Sequence, residues 1–590
     1  MNPMNGSRTR VVLARPEYSV AIYRASYSGQ FKPGMKQVEP PMALMQIGAA
    51  LVEAGHDVRI IDGEAENLTI DRLVERICDE HPDIVGVTST TPEYCVAKRI
   101  IEKVKRKLPG ALAVIGGAHA THVPWELADE IQGIDHVVVY EGEKAMVAIA
   151  NQDTRSLAAY SDNAQRLLGR VGFEHPLRYR GRILLGPSQT TEDLERLRPL
   201  RCLPHIDMRY YKYADPQIGL TDTESVETAR GCPFGCTFCS SANSGLGMRS
   251  VDNVLEELEI IDRRFRRSGG QGFVVFLDDT LTFSRRRATE LFEGILHRGL
   301  RLHYKAFTRA NTIATRHGHA ADVEFARLMK RAGSVTISFG IETGSQRINQ
   351  ATSKGVTLDD YRNAYAILDK VDFEERRGSF IIGHPYETEQ TIAESIAFAG
   401  ELGLHRIGVN IMTPYPGTEV YNNARMGRGI YFEGGARDYA QYRRWGKGVI
   451  STETLTPQAL EYWHNRFLTE LYTAGHVLRH GAREFLRGNR SRFYHRPVTQ
   501  AVRERLKLMA RGAWRKPPRF GPPDHSGYDP EQWGRAHITK TVCIAVLREI
   551  YQVGPSRKPI QKVLTEDLAR SPTPFISVAD SFQRALAPRR

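Results

Sequence analysis

The chain of 590 residues is long enough for roughly three or four domains, and its 41% hydrophobic and 25% charged residues are ordinary for a globular protein. No apolar run approaches the roughly eighteen residues of a membrane span, and the N-terminus lacks the apolar core of a signal peptide, so we expect a cytoplasmic protein. The net charge of +13 would suit nucleic acid, but much of the excess lies late in the chain, at 479–492 and 503–519. A solvated basic surface is the simpler interpretation, so a nucleic-acid partner is not expected.

Residues 10–150 alternate short apolar runs with amphipathic stretches, which predicts a parallel sheet with crossover helices. The predicted strands cover 11–14, 58–62, 84–88, 111–115 and 136–140, and the predicted helices cover 42–54, 70–80 and 95–107. Ligands of such Rossmann-like domains bind at the carboxyl ends of the strands. A dinucleotide site would need G-x-G-x-x-G after the first strand, where this chain has Arg15-Pro16-Glu17-Tyr18, so NAD is not expected.

The alternation breaks down over residues 156–215, which we interpret as a linker packed between two domains. A short hairpin signal covers 177–185 and turns at Gly181.

Regular alternation resumes at residue 224 and continues to about residue 430. The predicted strands are 225–229, 272–277, 303–308, 335–340, 378–382 and 407–412, and the helices between them are 254–265, 285–297, 321–331, 358–370 and 391–402. Six strands with intervening helices predict an open, partial version of the parallel β/α barrel, whose active sites lie at the carboxyl ends of the strands.

A cysteine-rich loop follows the first of these strands. Cys232, Cys236 and Cys239 have the spacing C-x3-C-x2-C, and such dense thiolates are soft ligands that suit an iron–sulfur cluster. A tetrahedral zinc site would need a fourth Cys or His nearby, and the next downstream His is His297. A zinc site completed from elsewhere, or three incidental thiols, is the alternative. Three thiolates would leave one iron open to a small molecule.

The other four cysteines are scattered, which is consistent with a reducing compartment and no disulfide framework: Cys78, Cys95, Cys202 and Cys543.

The cysteine loop resembles the signature of the radical S-adenosylmethionine (SAM) enzymes. Segments 339–346, 380–388 and 413–419 resemble those of the subfamily that is linked to cobalamin, so the resemblance covers residues 10 to about 430. It implies that Cys232, Cys236 and Cys239 hold a [4Fe-4S] cluster whose open iron binds SAM. It also implies that reduction by an external donor, similar to flavodoxin or ferredoxin, splits SAM to a 5′-deoxyadenosyl radical.

The first domain resembles the cobalamin-binding domain that is fused to many of these enzymes. The matching features are Pro40-Pro41, segment 53–58, the hydroxyl-rich loop 88–91, Gly116-Gly117 and segment 140–143. The cobalamin contacts expected at the strand ends are Arg15, Pro16, Thr88, Ser89, Thr90, Gly116, Gly117, His119, Glu141 and Gly142.

Histidine is not expected on the cobalt of this cobalamin. Proteins with a histidine ligand carry D-x-H-x-x-G after the first strand, and this chain does not. His119 and His122 lie on a loop at the ligand edge, where they could either bind the cofactor tail or face water.

SAM presents an ammonium, a carboxylate, a sulfonium and a ribose diol, for which carboxylates and an arginine are suitable partners. Residues of this kind stand at successive strand ends of the second domain, and with one residue of the cysteine loop they form the expected SAM site: Phe238, Asp278, Asp279, Arg309, Glu342 and Gly383.

Beyond residue 435 the chain becomes aromatic and basic. We predict a helix that starts at 455–458, helical runs to about residue 487, a loop over 516–530 and a helix over 540–552. Four aromatic residues of this region either line a substrate cavity or form the core of a helical cap: Tyr442, Trp445, Trp463 and Tyr494.

The predicted domains of the chain are therefore a cobalamin-binding domain (1–155), a linker (156–215), a radical SAM barrel (216–435) and a helical substrate cap (436–590).

The resemblance implies a cobalamin-dependent radical SAM methyltransferase that methylates an unactivated carbon of a small natural-product, lipid or tetrapyrrole substrate by way of methylcobalamin. The basic C-terminal region hints at an anionic substrate. The alternative keeps both cofactors but forms or contracts a ring, as the anaerobic oxidative cyclase of chlorophyll biosynthesis does, and the motifs do not separate the two reactions.

RNA modification is less favoured, because methylthiotransferases carry three further cluster cysteines in their N-terminal domain, where this chain has only Cys78 and Cys95. The intact cysteine loop argues against a non-enzymatic cobalamin sensor.

Overall fold

The structure is a computed structural model, and it describes residues 8–17, 38–154, 181–187, 190–196, 207–215, 219–267, 272–315, 319–373, 376–404, 406–433, 438–442 and 447–471. Trp445 and Tyr494 lie outside these residues, as do the segments beyond residue 471 that were predicted as helix and loop.

The N-terminal region forms a six-stranded parallel sheet in the order β2-β1-β3-β4-β5-β6. Its strands are β1 (Arg10–Arg15), β2 (Asp57–Asp62), β3 (Ile84–Thr88), β4 (Leu112–Gly116), β5 (His136–Tyr140) and β6 (Ile183–Gly186). Its helices are α1 (Met42–Glu53), α2 (Gly63–Glu66), α3 (Ile70–Asp79), α4 (Tyr94–Lys107), α5 (Ala118–His122), α6 (Pro124–Glu130) and α7 (Glu143–Ala150). The predicted Rossmann-like domain is confirmed.

Apolar residues of the central strands are buried on both faces of this sheet, which is why those strands read as continuous apolar runs. Met45 and Leu51 of α1 pack with Met146 of α7 on one face. Val74 of α3 and Ile101 of α4 pack on the other face.

The sixth strand lies within the segment that the sequence predicted as a linker. β6 pairs with β5 in parallel, with Val137 opposite Ile183, and Leu184 and Leu185 are buried. The residues immediately before Gly181, which would form the other half of the predicted hairpin, lie outside the described residues. A four-residue strand is too short to be recognised by alternation alone.

The second sheet has seven strands in the order β15-β14-β13-β12-β11-β8-β7, and all neighbours are parallel except β7 and β8. The strands are β7 (Lys212–Asp215), β8 (Gly219–Val226), β11 (Gly272–Phe276), β12 (Leu302–Thr308), β13 (Ser334–Glu342), β14 (Arg376–Ile382) and β15 (Arg406–Ile411), while β9 (Ala229–Arg230) and β10 (Gly247–Met248) form a separate short ribbon. Six parallel strands in chain order confirm the open, partial barrel. The antiparallel edge strand β7 was not predicted.

Helices cover one face of this curled sheet. The layer contains α9 (Val251–Arg267), α10 (Arg285–His297), α12 (His319–Arg331), α14 (Leu358–Lys370) and α15 (Glu389–Glu401). The shorter helices are α8 (Thr191–Arg196), α11 (Ala310–Ile313) and α13 (Gln346–Ala351), and the elements that follow along the chain are α16 (Glu419–Met426), β16 (Ile430–Phe432), β17 (Ile450–Thr452) and α17 (Pro457–Leu471). Tyr304 and Ala306 of β12 pack against this helical layer, whereas Lys305 and Phe307 alternate with them and face the opposite, concave side.

Helix α17 begins with Pro457 in its first turn, as predicted, and packs against the edge strand β15 and helix α15. Phe467 packs on Phe380 of β14, with ring centroids 5.0 Å apart. Trp463 and Tyr442 are both buried, so they are core aromatic residues. Within the described part of the chain, no helix combines the length and the apolar character needed to cross a membrane.

Candidate functional site

The cysteine loop is held in a turn that its glycines permit. Gly231 has φ of +96°, and a Cβ atom there would lie 1.8 Å from the carbonyl oxygen of Gly245. The amide of Cys232 donates to Ser244 Oγ at 2.8 Å, and the amide of Asn243 donates to the carbonyl of Phe234 at 2.9 Å. The segment that follows the cysteines therefore folds back and supports the loop that carries them.

Two distant segments fix the other side of the same loop. The amide of Thr237 donates to the carbonyl of Thr352, just after α13, at 3.1 Å, and the amide of Val420 in α16 donates to the carbonyl of Thr237, also at 3.1 Å. Thr237 lies between the second and third cysteines. Their placement thus depends on the loops after β13 and β15.

The three cysteines lie close enough to interact electrostatically, and their loop is largely buried. Burial raises the pKa of Cys232 and raises that of Cys239 to about 11, and the charge of Asp279 and of the neighbouring thiols acts in the same direction. Within the described residues, no three His, Cys, Asp or Glu side chains converge closely enough to share one metal ion. An iron–sulfur cluster has several irons and sulfides and is wider than one ion, so this finding concerns single-ion sites only.

Arg309, an expected SAM contact, lies against the cysteine loop. Its guanidinium stacks on the ring of Phe234 at 3.6 Å, and its Nη1 is 3.9 Å from Cys236 Sγ. It also donates to the carbonyl of Lys354. The side chain is 7% exposed, so its positive charge is held beside a cluster thiol.

The two carboxylates expected to bind SAM after β11 have different environments. Asp278 is buried and accepts hydrogen bonds from the amide and the hydroxyl of Thr228, and burial raises its pKa to about 6. Asp279 is exposed, lines a cleft with Cys232 and bonds to Ser241. Asp279 therefore faces the cluster loop, whereas Asp278 orders the backbone that precedes it.

Two further expected SAM residues are at the ends of β13 and β14. Glu342 has φ of +69° and accepts a hydrogen bond from Lys354 Nζ at 2.6 Å. Gly383 has φ of +89°, and its amide donates to Glu387, which is buried. Burial raises the pKa of Glu387 to about 8, although amide hydrogen bonds act against that rise.

The remaining expected SAM residue, Phe238, packs edge-on against His384, with ring centroids 5.9 Å apart. Burial lowers the pKa of His384 to about 4, so the ring is neutral near pH 7. The segment after β14 thus contacts the cysteine loop through two aromatic rings.

The strand ends expected to bind cobalamin lie in a row, because β3, β4 and β5 are neighbours in one parallel sheet. The amide of Ser89 donates to the carbonyl of Gly116 at 2.9 Å. A Cβ atom at Gly117, which has φ of +99°, would lie 2.7 Å from the carbonyl oxygen of Ser89. The loops with Thr88, Ser89 and Thr90 are therefore packed directly on Gly116 and Gly117, and this forms a close backbone platform that suits a large phosphate-bearing ligand.

His119 is not on the surface of this platform. Its ring is fully buried between Tyr94 and Tyr439, at centroid distances of 4.7 and 4.6 Å, and Nδ1 is 3.2 Å from Thr91 Oγ1. Burial lowers its pKa to about 3, helped by the charge of His122. The alternative of a water-facing ring is wrong for His119, because Tyr439 covers the ring, whereas a contact between His119 and cobalamin stays a prediction. Its Nε2 is buried and has no hydrogen-bond partner among the described residues.

Arg15 and Pro16 follow β1, as expected. The Arg15 guanidinium forms a bidentate ion pair with Asp62 at 2.8 and 2.6 Å and donates to the carbonyl of Glu39 at 3.2 Å. Tyr211 donates to the same carboxylate at 2.9 Å. Arg15 thus ties β1 to β2 through its side chain, and Pro16 is buried.

Glu141 and Gly142 follow β5 and reach the second domain. Glu141 accepts a hydrogen bond from Arg230 at 3.0 Å. Arg230 stands only two residues before Cys232 in the chain. Sequence reasoning did not single out Arg230, Lys354 or Glu387 as site residues. The position of Arg230 directly before the Gly-Cys pair was a local signal, but its partners Glu141 and Gln46 lie on distant segments.

Two family models match the chain. The B12 binding domain matches residues 35–150, and the radical SAM superfamily matches residues 226–399. The chain is 33% identical over 390 residues to a protein of Pyrococcus horikoshii named as an uncharacterized methyltransferase, covering 65% of this chain and 78% of the relative. The chain belongs to the family of radical SAM enzymes that carry a cobalamin-binding domain.

A second relative in this family is the anaerobic magnesium-protoporphyrin IX monomethyl ester cyclase of Cereibacter sphaeroides. It is 26% identical over 427 residues, and the match covers 71% of this chain but 64% of the cyclase, so the chain spans less than two thirds of that relative. The fold is also that of the radical SAM methyltransferase TsrM of Kitasatospora setae, with a TM-score of 0.57, 17% identity and coverage of 80% of this chain and 90% of that one.

Membership of this family brings three cofactors, a [4Fe-4S] cluster, SAM and cobalamin, and the residues described above fit them. The thiol loop suits the cluster, the glycine and hydroxyl platform suits cobalamin, and the strand ends around the cysteines offer polar groups for SAM. Which individual side chains touch SAM and cobalamin remains a prediction.

Proposed function

We propose that this protein is a cobalamin-dependent methyltransferase that transfers a methyl group to an unactivated carbon of a small molecule. One observation carries the proposal: the cysteine loop and the strand ends of the cobalamin-type domain are joined directly, through the hydrogen bond from Arg230 to Glu141. A methyl donor and a hydrogen-abstracting centre must reach the same carbon, so the two sites have to open onto one cavity. The similarity to a Pyrococcus horikoshii protein that is named as an uncharacterized methyltransferase supports methyl transfer.

When bound, the cluster and SAM supply hydrogen abstraction by a radical, and cobalamin supplies the methyl group. The chain's own residues hold these groups and shape the space between them. Cys232, Cys236 and Cys239 supply the thiolates, while Arg309 places positive charge beside one of them. The loops at Ser89 and Gly117 form the platform of the first domain.

The concave face of the barrel is the proposed substrate cavity. Phe307 is 48% exposed on that face although it is a large apolar side chain. Lys305, two residues earlier, donates to Glu39 of the first domain at 3.0 Å, so the first domain reaches over the same face. An exposed apolar ring on this face suits a substrate that has an apolar body.

Two further assignments belong to this proposal. An external donor, similar to flavodoxin or ferredoxin, would reduce the cluster, and the protein would act in the cytoplasm. All described cysteines are free thiols, which suits a reducing compartment: Cys78, Cys95, Cys232, Cys236 and Cys239.

The similarity to the Cereibacter sphaeroides cyclase favours one alternative, a reaction that uses both cofactors to form a ring without methyl transfer. Product analysis separates the two. Methylation consumes two SAM per turnover and yields S-adenosylhomocysteine together with 5′-deoxyadenosine and methionine, whereas cyclisation yields no S-adenosylhomocysteine.

The test uses the full chain loaded with cluster and cobalamin and incubated with SAM and a chemical reductant. We expect both nucleoside products, and 5′-deoxyadenosine without S-adenosylhomocysteine would overturn the methyltransferase assignment. Cys236→Ala should abolish 5′-deoxyadenosine and leave cobalamin binding intact. Cys95→Ala, an exposed cysteine of the first domain, is the matched control and should retain both.

A further inference from the structure

Arg230 connects the two domains at the point where their proposed cofactor sites meet. Its Nη1 lies 3.0 Å from a carboxylate oxygen of Glu141 and 3.0 Å from one of Glu143, both on the first domain. Its Nη2 lies 2.8 Å from Glu227 of the barrel and 3.0 Å from Gln46 Oε1 in α1. Its Nε also donates to Glu227, at 3.2 Å.

These contacts use the whole guanidinium group. An arginine has five N–H bonds in one rigid plane, and here two point at Glu141 and Glu143, two at Glu227 and Gln46, and the fifth at Glu227. A lysine has three donors on a single atom and cannot reproduce this planar arrangement.

The charges around Arg230 predict that this contact stabilises the domain interface. Three carboxylates surround one guanidinium, and the side chains are only 23% (Arg230), 22% (Glu141), 4% (Glu143) and 19% (Glu227) exposed. Without Arg230, three partly buried carboxylates would face one another across the domain boundary, and their repulsion would be weakly screened.

The partners of Arg230 are themselves rigidly placed. A Cβ atom at Gly142 would lie 2.8 Å from Ile47 of α1, and one at Gly186 of β6 would lie 1.6 Å from the carbonyl oxygen of Glu141. The loop that carries Glu141 is therefore wedged between a helix and a strand. On the other side, Arg230 is followed by Gly231, whose conformation is fixed by Gly245, and then by the first cysteine.

We infer that Arg230 is a positioning residue that sets the distance and orientation of the cluster loop relative to the loop after β5, and so the separation of the two cofactors. The inference rests on the proposed function for the identity of those cofactors. In this role Arg230 acts through Gly231 and Cys232 on one side and through Glu141 on the other.

The first test measures hydrogen exchange by mass spectrometry on the full chain before cofactors are loaded, in peptides that cover residues 138–147 and 227–235. Arg230→Gln should accelerate exchange in both peptides by about tenfold or more, because each hydrogen bond to a charged group is worth roughly a tenfold step or more in an opening equilibrium. The exchange rates of Arg230→Lys should lie between those of the unchanged chain and those of Arg230→Gln, since lysine retains the charge but not the planar donors.

Arg298→Gln is the matched control. Arg298 also binds two carboxylates, Asp252 and Glu259, both at 2.9 Å, but both partners are on helix α9 of the barrel. Its variant should leave exchange in the two peptides unchanged. Unchanged exchange at 138–147 in Arg230→Gln would overturn the inference.

The second test measures the distance between the reduced cluster and cob(II)alamin by pulsed electron paramagnetic resonance on the loaded chain. A sharp distance distribution is expected for the unchanged chain and for Arg298→Gln, and a broadened one for Arg230→Gln with partial recovery in Arg230→Lys. A distribution unaltered by Arg230→Gln would also overturn the inference.

The two tests fail separately. A chain that binds no cobalamin would contradict the proposed function, while the exchange result on the unloaded chain would still decide the role of Arg230. Should Arg230→Gln not fold, Glu141→Ala removes one partner on the first domain. It should accelerate exchange in both peptides by a smaller factor, and no change there would equally overturn the inference.

Discussion

The guanidinium of Arg309 lies 3.9 Å from the sulfur of Cys236, buried and stacked on Phe234, the residue midway between the first two cluster cysteines. A positive charge at this place stabilises the thiolate and favours the more negatively charged, reduced state of a cluster bound to it. The expectation from the strand-end pattern was a contact with SAM, and the two roles make different predictions.

We predict that Arg309→Gln lowers the reduction potential of the cluster by about 60 mV, the one-electron equivalent of a tenfold change in equilibrium. Arg309→Lys should lower it by less. The measurement is a redox titration followed by electron paramagnetic resonance in the absence of SAM. An unchanged potential together with weakened SAM binding would instead support the contact that the sequence suggested.

The Gly231 turn should be indispensable for the cluster. In Gly231→Ala the new Cβ atom would lie 1.8 Å from the carbonyl oxygen of Gly245, and φ of +96° is unfavourable for alanine, so the loop cannot keep its shape. We expect less than about a tenth of the normal iron and sulfide content after reconstitution. Gly245→Ala, on the segment that faces this turn, adds a Cβ atom that meets nothing within 4 Å and should load normally.

Gly117 should be equally important for the first domain. A Cβ atom there would lie 2.7 Å from the carbonyl oxygen and 2.9 Å from the amide of Ser89, so Gly117→Ala would push the loops after β3 and β4 apart. Because the platform is proposed to bind cobalamin, we expect affinity to fall by at least about tenfold, measured by absorbance titration with hydroxocobalamin. Gly110→Ala is the control, since its Cβ atom would meet nothing within 4 Å. Normal binding by Gly117→Ala would contradict the placement of cobalamin at these loops.

The buried carboxyl group of Glu387 should make stability depend on pH. Its pKa in the folded chain is raised to about 8 by burial, whereas an unperturbed glutamate has a pKa of about 4.3. Between these values the unfolded chain loses a proton that the folded chain retains, so the free energy of unfolding falls as pH rises through that window.

Glu387→Gln should remove this contribution, because an amide does not titrate. We expect the thermal unfolding midpoint to fall less steeply between pH 5 and pH 8 in this variant than in the unchanged chain. Glu394→Gln alters an exposed carboxylate on α15 and should follow the unchanged chain. Identical slopes for all three proteins would show that Glu387 is ionised throughout.

Much of the fold follows from local patterns. The first strand, the helix at Leu358–Lys370 and the strand at His136–Tyr140 are placed to within a residue or two by apolar periodicity and helix-terminal signals. The short strand β6 and the edge strand β7 were missed because four residues carry too little periodicity, and their pairing depends on strands far away in the chain. The domain boundaries at residues 155, 215 and 435 remain predictions.

The sequence by itself determined the two parallel sheets, the order of the cofactor domains and the three thiols of the cluster loop, because these depend on residue spacing within short segments. Only the tertiary structure decided what the charged residues at the strand ends do. Arg15 is bound by Asp62, 47 residues away, and Arg230 by Gln46, 184 residues away. A charged side chain is engaged by whichever partners the fold brings within hydrogen-bond distance, and no local pattern records which partners those are.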